Sequence, residues 1–392
     1  MKTKYLYLVV LLFIVCSCSE KQLDPITESL GKPGVVTEVK TQQVPGGVII
    51  TYRIPDAEDI LGVKGVYVLS NGQSYEATAS FYDNKLKILG YNDTLSHEVQ
   101  LYTVNRGQIV SDPVKVTFNP LESSLSKAIK TVNIISDFGG AQFNWQNLDK
   151  APLTFEFLAQ DSLGLMQTMK IITTETESSR QSLRGYAPEP RFFATIIRDN
   201  WGNSSDTIFP IEGRITPMFE EKLDKRKMNV MKLSNDQNFT NWEGMDSYLI
   251  DDDHETFGHS PNSSIPAPFT IDLGRVAKLS RIVMHQRKFS DSYYNWGNPQ
   301  KFEVYGCATK PSQNGDWSEW TKIMNCEIIK PSGSPSGTVT DEDITAGTAG
   351  HEFVFELSQA PIRYIRIVIQ STFGGTTFTH PADVDFYGKV VE

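Results

Sequence analysis

The stretch Tyr248-Leu-Ile-Asp-Asp-Asp-His-Glu-Thr-Phe-Gly-His-Ser260 places three carboxylates, Asp251, Asp252 and Asp253, side by side. Such a run repels itself on a folded surface unless a cation or a set of backbone donors sits among the acids. A bound cation is the simplest partner. Counted from Asp251, the sixth position is Thr256 and the twelfth is Asn262, so the glycine and glutamate of an EF-hand are missing.

Downstream, Phe269, Ile271 and Leu273 alternate, as do Ile365, Ile367 and Ile369, which predicts strands with one apolar face. Four further phrases follow the acidic loop in order: Phe269-Thr-Ile-Asp-Leu-Gly-Arg275, Pro299-Gln-Lys-Phe-Glu-Val-Tyr-Gly306, Pro361-Ile-Arg-Tyr-Ile-Arg-Ile-Val-Ile-Gln370 and Ala382-Asp-Val-Asp-Phe-Tyr-Gly-Lys389. Together they resemble the discoidin, or coagulation-factor type C, domain, an eight-stranded galactose-binding-like jelly roll, here spanning residues 228–392. The resemblance implies a structural Ca2+ held by the side chains of Asp251, Thr256 and Asp383 and the carbonyls of Tyr248, Asp253 and Ala382. All are hard oxygen donors, as calcium requires. The family often has glutamate where Asp383 stands. The bland reading, in which the acids cap their own turn without a metal, stays open beside it.

His285-Gln-Arg287 ends a strand and leads into the loop Ser290-Asp-Ser-Tyr-Tyr-Asn-Trp-Gly-Asn298. Sugars offer hydroxyls to polar side chains and C–H faces to aromatic rings. His285 and Arg287 are therefore candidate hydroxyl partners, and Tyr293, Tyr294 and Trp296 candidate stacking platforms. Phe373, in the glycine-rich loop 371–377, is the candidate opposite wall. Loop aromatics also fold inward to plug a barrel end, and that reading stays open too. Trp242, Trp317 and Trp320 read as core or rim. Cys307 and Cys326 lie on neighbouring predicted strand ends, compatible either with a disulfide in an exported protein or with buried thiols.

Upstream, residues 35–120 read as a run of short strands, with Gly46-Gly47 joining two alternating segments in a hairpin. Gly46-Gly-Val-Ile-Ile-Thr-Tyr-Arg-Ile-Pro55 and His97-Glu-Val-Gln-Leu-Tyr-Thr-Val-Asn-Arg-Gly107 resemble the B and F strands of a fibronectin type III domain. Residues 121–212 repeat the phrases: Gly139-Gly-Ala-Gln-Phe-Asn-Trp145 mirrors the first, and the strand near 192–199 with Trp201-Gly-Asn203 mirrors the second. A repeat of this length implies two sandwiches in tandem, with Trp145 and Trp201 as core or turn lid. Pro217 and the charged run Glu220 to Lys227 interrupt the apolar pattern, so 213–227 reads as a linker with a solvated face. The fold class expected is all-β.

At the N-terminus, Lys2 and Lys4 precede an apolar run from Leu6 to Val15, too short to span a bilayer but suited to a secretory signal. Val15-Cys-Ser-Cys18 resembles a bacterial lipobox, with residues 1–17 the signal, Cys18 the lipidated residue and 18–34 a tether. Loss of Lys2 and Lys4 leaves 35 basic residues against 47 acids and moves the net charge from −10 to −12, which argues against nucleic acid as a partner.

Neither a Gly-x-Ser-x-Gly elbow nor a His-Glu-x-x-His helix occurs, and the six histidines follow no metal-ligand spacing. Lipoprotein signal, two fibronectin-like modules and a discoidin-like domain together resemble the surface lipoproteins of Sus-like polysaccharide-utilisation systems in Bacteroidota. The resemblance implies an outer-membrane, lipid-anchored, cell-surface protein that is not an enzyme. It would bind polysaccharide or oligosaccharide and work beside importer proteins. The alternative is an accessory lipoprotein whose discoidin domain binds a protein partner or host glycoprotein.

Overall fold

The computed structural model describes residues 30–288, 293–336 and 338–391. The signal segment, Cys18 and most of the tether lie outside the described residues, as do Ser290 to Ser292 of the aromatic loop.

The first alternating segments form β1 (Thr37–Val44), β2 (Gly47–Arg53), β3 (Ile60–Val68), β4 (Ser74–Ser80), β5 (Lys85–Leu89), β6 (His97–Asn105) and β7 (Val114–Phe118). They make two antiparallel sheets, ordered β1-β2-β5 and β4-β3-β6-β7, the arrangement of a fibronectin type III sandwich. Val48, Ile50, Leu86, Ile88, Val99 and Leu101 bury one face of each sheet against the other. Each apolar side chain of that size contributes roughly 1.5–3 kcal/mol on burial. The segments read as the B and F strands are β2 and β6.

A helix, α1 (Ser124–Thr131), follows, capped by the Ser123 hydroxyl. After it come β8 (Asn133–Asp137), β9 (Gly140–Gln146), β10 (Leu153–Gln160), β11 (Met166–Thr174), β12 (Ser178–Leu183) and β13 (Phe193–Arg198), in sheets ordered β12-β9-β8 and β11-β10-β13. Trp145 is core here, its ring stacked on Phe155 at 4.2 Å. Trp201 is a lid: it meets Tyr75 edge-on at 5.8 Å. The described residues divide into two compact units, those up to Asn133 with 144–180 and 194–209, and 134–143 with 181–193 and those from Pro210 onward.

The C-terminal part contributes β14 (Glu221–Lys222), β15 (Asn229–Met231), β16 (Ala267–Gln286), β17 (Pro299–Cys307), β18 (Thr321–Glu327), β19 (His351–Val354), β20 (Ile362–Thr372) and β21 (Pro381–Val390) in one eight-stranded antiparallel sheet system. It also holds a helix, α2 (Asp341–Ala349), closed by a capping box between Thr340 and Asp343, which the all-β reading did not anticipate. The long strand β16 pairs with four strands, β15 and β19 over short stretches and β20 and β21 over longer ones. Its first half pairs with β20 and its second half with β21. The change of partner falls at Gly274, whose φ of +71° and approach to the Lys227 carbonyl leave no room for a Cβ. Phe269, Ile271, Ile282, Phe302, Ile365, Ile367 and Phe386 fill the space between the layers.

Two sequence expectations change here. The charged run read as a linker with a solvated face is built into this sheet. Glu221–Lys222 is β14 and pairs with β21, Glu220 accepts from Ser280 and Arg281, and the Lys225 side chain is buried. The disulfide does not form. The register sets Cys326 opposite Phe302, whereas Cys307 lies opposite Tyr364 beyond the far end of β18. Cys307 lies about five residue steps along the strand from Phe302, roughly 16 Å at strand rise, far beyond the reach of an S–S bond. Both thiols are free, and burial raises the pKa of each, Cys307 to about 11 and Cys326 to about 12. Alkylation of the denatured chain without reductant should therefore modify both cysteines, and reductant should leave Tm unchanged. A mass showing two protons missing would contradict this.

Candidate functional site

A cleft of about 550 Å3 opens at one end of the C-terminal sandwich, lined by Trp242, Glu243, Phe257, His259, Asn262, Arg287, Trp296, Phe378 and His380. Three chain segments build it, and each is pinned by backbone bonds. His259 donates its amide to the Phe239 carbonyl and accepts from Asn241, while the neighbouring Gly258 and Ser260 amides donate to Pro381 and Thr379. Gly244 closes the turn that carries Trp242; a Cβ there would meet the His259 nitrogen at 2.6 Å. On the other side, the Asn298 carboxamide bridges the amide and carbonyl of Arg287. The Trp296 carbonyl accepts from Gly374, and the Gly297 amide donates to His380 Nε2.

Trp242 and Trp296 are 85% and 57% exposed. Both hold the backbone in the left-handed region, at φ of +52° and +46°. Large side chains rarely occupy that region, and held strain of this kind gathers at functional sites. Between them the surface is aromatic and polar in alternation. The His259 ring stacks on Phe378 at 4.8 Å and lies 6.1 Å from Trp242, and the Arg287 guanidinium lies 3.5 Å over the Phe257 ring.

The histidines here are neutral near pH 7. Burial first, then the Arg287 charge, lowers His259, against a backbone hydrogen bond that raises it. His259 Nδ1 lies 2.8 Å from the Ser260 carbonyl, which assigns it the proton and leaves Nε2 as an acceptor. Burial also pushes His380 down to about 3. The cleft thus offers donors on Arg287, acceptors on His259 and Glu243, both on Asn262, and two exposed indole faces.

Of the residues singled out from sequence, Arg287 and Trp296 are in this cleft. Tyr293 and Tyr294 are not platforms: they are 6% and 0% exposed and belong to the core. The ring of Tyr293 packs flat on Gly347, where a Cβ would come within 2.5 Å. Phe373 is no wall either, since it meets Tyr294 edge-on at 5.1 Å and packs on the same core. His285 is buried elsewhere, its ring stacked on His254 at 3.7 Å and its Nε2 3.3 Å from Asp385. Trp242, Phe257, His259 and Phe378 were missed. The sequence signal for Trp242 is an isolated indole in a polar turn, the setting in which a large ring has least apolar surface to fold against.

The acidic loop satisfies itself by local turns and an ion cluster. Asp251 accepts from the Asp253 amide and the Thr256 hydroxyl, and Asp253 accepts from the Glu255 amide. Asp252 pairs with Lys222 at 2.7 Å and with Lys225 at 3.1 Å. Of the six calcium donors expected, Asp251, Asp253 and Thr256 converge. Asp383 does not join them as a bare carboxylate: one oxygen takes Lys225 Nζ at 2.5 Å and the other its own Val384 amide.

Three family profiles match the chain, each described as a domain of unknown function: DUF4959 over residues 33–120, DUF5126 over 121–226 and DUF5000 over 242–388. Among solved structures, a SusE-like protein is 33% identical; the alignment covers 68% of this chain and 98% of the other, with TM-score 0.46. The chain belongs to the SusE-like family. It is also similar to a carbohydrate-binding module, CBM32-1, from a family 31 glycoside hydrolase of Clostridium perfringens (18% identity, 42% of this chain, 96% of that one, TM-score 0.28). A two-domain fibronectin type III segment of chicken tenascin is 11% identical over 46% of this chain and 98% of that one, with TM-score 0.23. No curated protein matches the chain significantly. No helix among the described residues is long and apolar enough to cross a membrane.

The two low histidines set a pH dependence. Burial holds His351 at about 4 and His380 at about 3, against roughly 6.5 in the unfolded chain. Unfolded histidine therefore takes up more protons on acidification. Stability is full above about pH 6.5 and is lost as the pH falls toward the folded values, by about 2 kcal/mol at pH 5 for a group as buried as His380. Tm should decline between pH 7 and pH 5, and His351→Gln should make the decline shallower. A flat profile would contradict the assignment.

Proposed function

We propose that the cleft between Trp242 and Trp296 binds glycan, and that the chain captures polysaccharide at the cell surface for an outer-membrane import system. The observation that carries the reading is the pair of exposed indoles held at left-handed φ on either side of a polar patch. Flat apolar faces take the C–H face of a pyranose ring. Arg287, His259, Asn262 and Glu243 supply donors and acceptors for its hydroxyls, so position is fixed by hydrogen bonds and contact area by the rings. Membership of the SusE-like family supports the surface location and the link to import, and one similar structure is a carbohydrate-binding module bound to GalNAc. In this reading a lipid on Cys18 anchors the chain. Many copies on one cell compensate for weak single-site affinity.

Affinity electrophoresis of the soluble chain from Ser19 onward, across plant, host and microbial glycans, tests the proposal. Retardation by at least one polysaccharide is expected. Trp242→Ala and Trp296→Ala should each weaken it by about tenfold or more with Tm preserved, since exposed rings contribute little to the core. Retardation that survives both substitutions would place the sugar elsewhere. Failure on every glycan would favour a protein partner for this cleft.

A further inference from the structure

Lys225 is a buried cation in a domain whose resemblance implies a metal. Its side chain is 3% exposed. Nζ lies 2.5 Å from Asp383 Oδ2, 2.6 Å from Asp385 Oδ1 and 3.1 Å from Asp252 Oδ1. Lys222 joins from the rim, 2.7 Å from Asp252 and 2.9 Å from Asp385. Two ammoniums thus face three carboxylates. His285 and His254 lie beside the acids, His285 Nε2 3.3 Å from Asp385 and His254 Nε2 3.8 Å from Asp383.

We infer that the Lys225 ammonium performs the structural task expected of a divalent cation, tying the acidic loop to the last strand, so that this domain closes without calcium. A calcium ion bonds carboxylate oxygen at 2.3–2.6 Å. An ion sharing Asp383 Oδ2 would therefore sit within roughly 5 Å of Nζ, inside the same buried site, and would repel it strongly. The other oxygen of Asp383, Oδ1, accepts from the Val384 amide. The ammonium also reaches both segments that the expected calcium set was to join: Asp252 lies in the acidic loop, and Asp383 and Asp385 lie on β21. It does so from a third segment, the charged run after the second sandwich.

The inference is independent of any glycan, and thermal unfolding of the full soluble chain tests it. With 1 mM CaCl2 or 1 mM EDTA the wild-type Tm should agree within about 1 °C, and titration of CaCl2 into chelator-treated protein should give no binding heat. Lys225→Met leaves buried carboxylates unmatched and should lower Tm by about 5–10 °C in either buffer, whereas Lys225→Arg should recover part of the loss. A wild-type Tm several degrees higher with calcium than with EDTA, a saturable calcium heat, or a Lys225→Met chain as stable as wild type would each overturn it. The wild-type measurements decide the matter even if Lys225→Met fails to fold.

Discussion

A buried ammonium has to be matched by buried carboxylates, and the C-terminal domain is arranged around that requirement. Taking a charge out of water costs several kcal/mol, and only close, well-directed partners repay it. Lys225 meets the condition with Asp383 and Asp385 on one face of β21 and Asp252 at the head of the acidic loop. Removing any member would strand the others. The pairing therefore fixes where the acidic loop, β21 and the run before β15 stand with respect to one another.

The same segments carry the cleft. Asp252 and His254 belong to the ion cluster, while Phe257 and His259, a few residues on, line the cleft. His285 faces Asp385, and Arg287 two residues later faces the cleft. Phe378 and His380 precede Asp383 and Asp385 in the same way. Arg287 leaves the side that His285 faces because the register with β21 shifts between His285 and Gln286. One set of segments thus serves a closed, charged interior and an open, aromatic surface. The ion cluster thus lies on the same segments that carry Arg287 and His259.

Much of the architecture was legible. Glycine pairs, alternating runs and the ordered phrases from Phe269 to Lys389 identify strands because periodicity is a local property. The acidic loop has both backbone donors and ammonium groups among its carboxylates. The cation, however, is Lys225, 158 residues from Asp383; a lysine within a charge run gives no local sign of burial. The aromatic loop shows the same limit. Composition alone cannot tell Trp296, turned outward by a left-handed turn, from Tyr293, folded inward onto Gly347. Nor could it find His259 or Trp242, whose roles come from pairing between distant loops. Arg366 makes the point in the core: it alternates with isoleucines, yet is fully buried, forked onto Asp236 beneath the face of Trp317.

The central claim is that glycan occupies the cleft flanked by Trp242 and Trp296. A crystal structure of the soluble chain with an oligosaccharide taken from whichever polysaccharide retards it tests this most directly. A sugar ring should rest on one or both indoles, with hydroxyls bonded to Arg287 and His259. Sugar bound at any other surface, with this cleft open beside it, would contradict it.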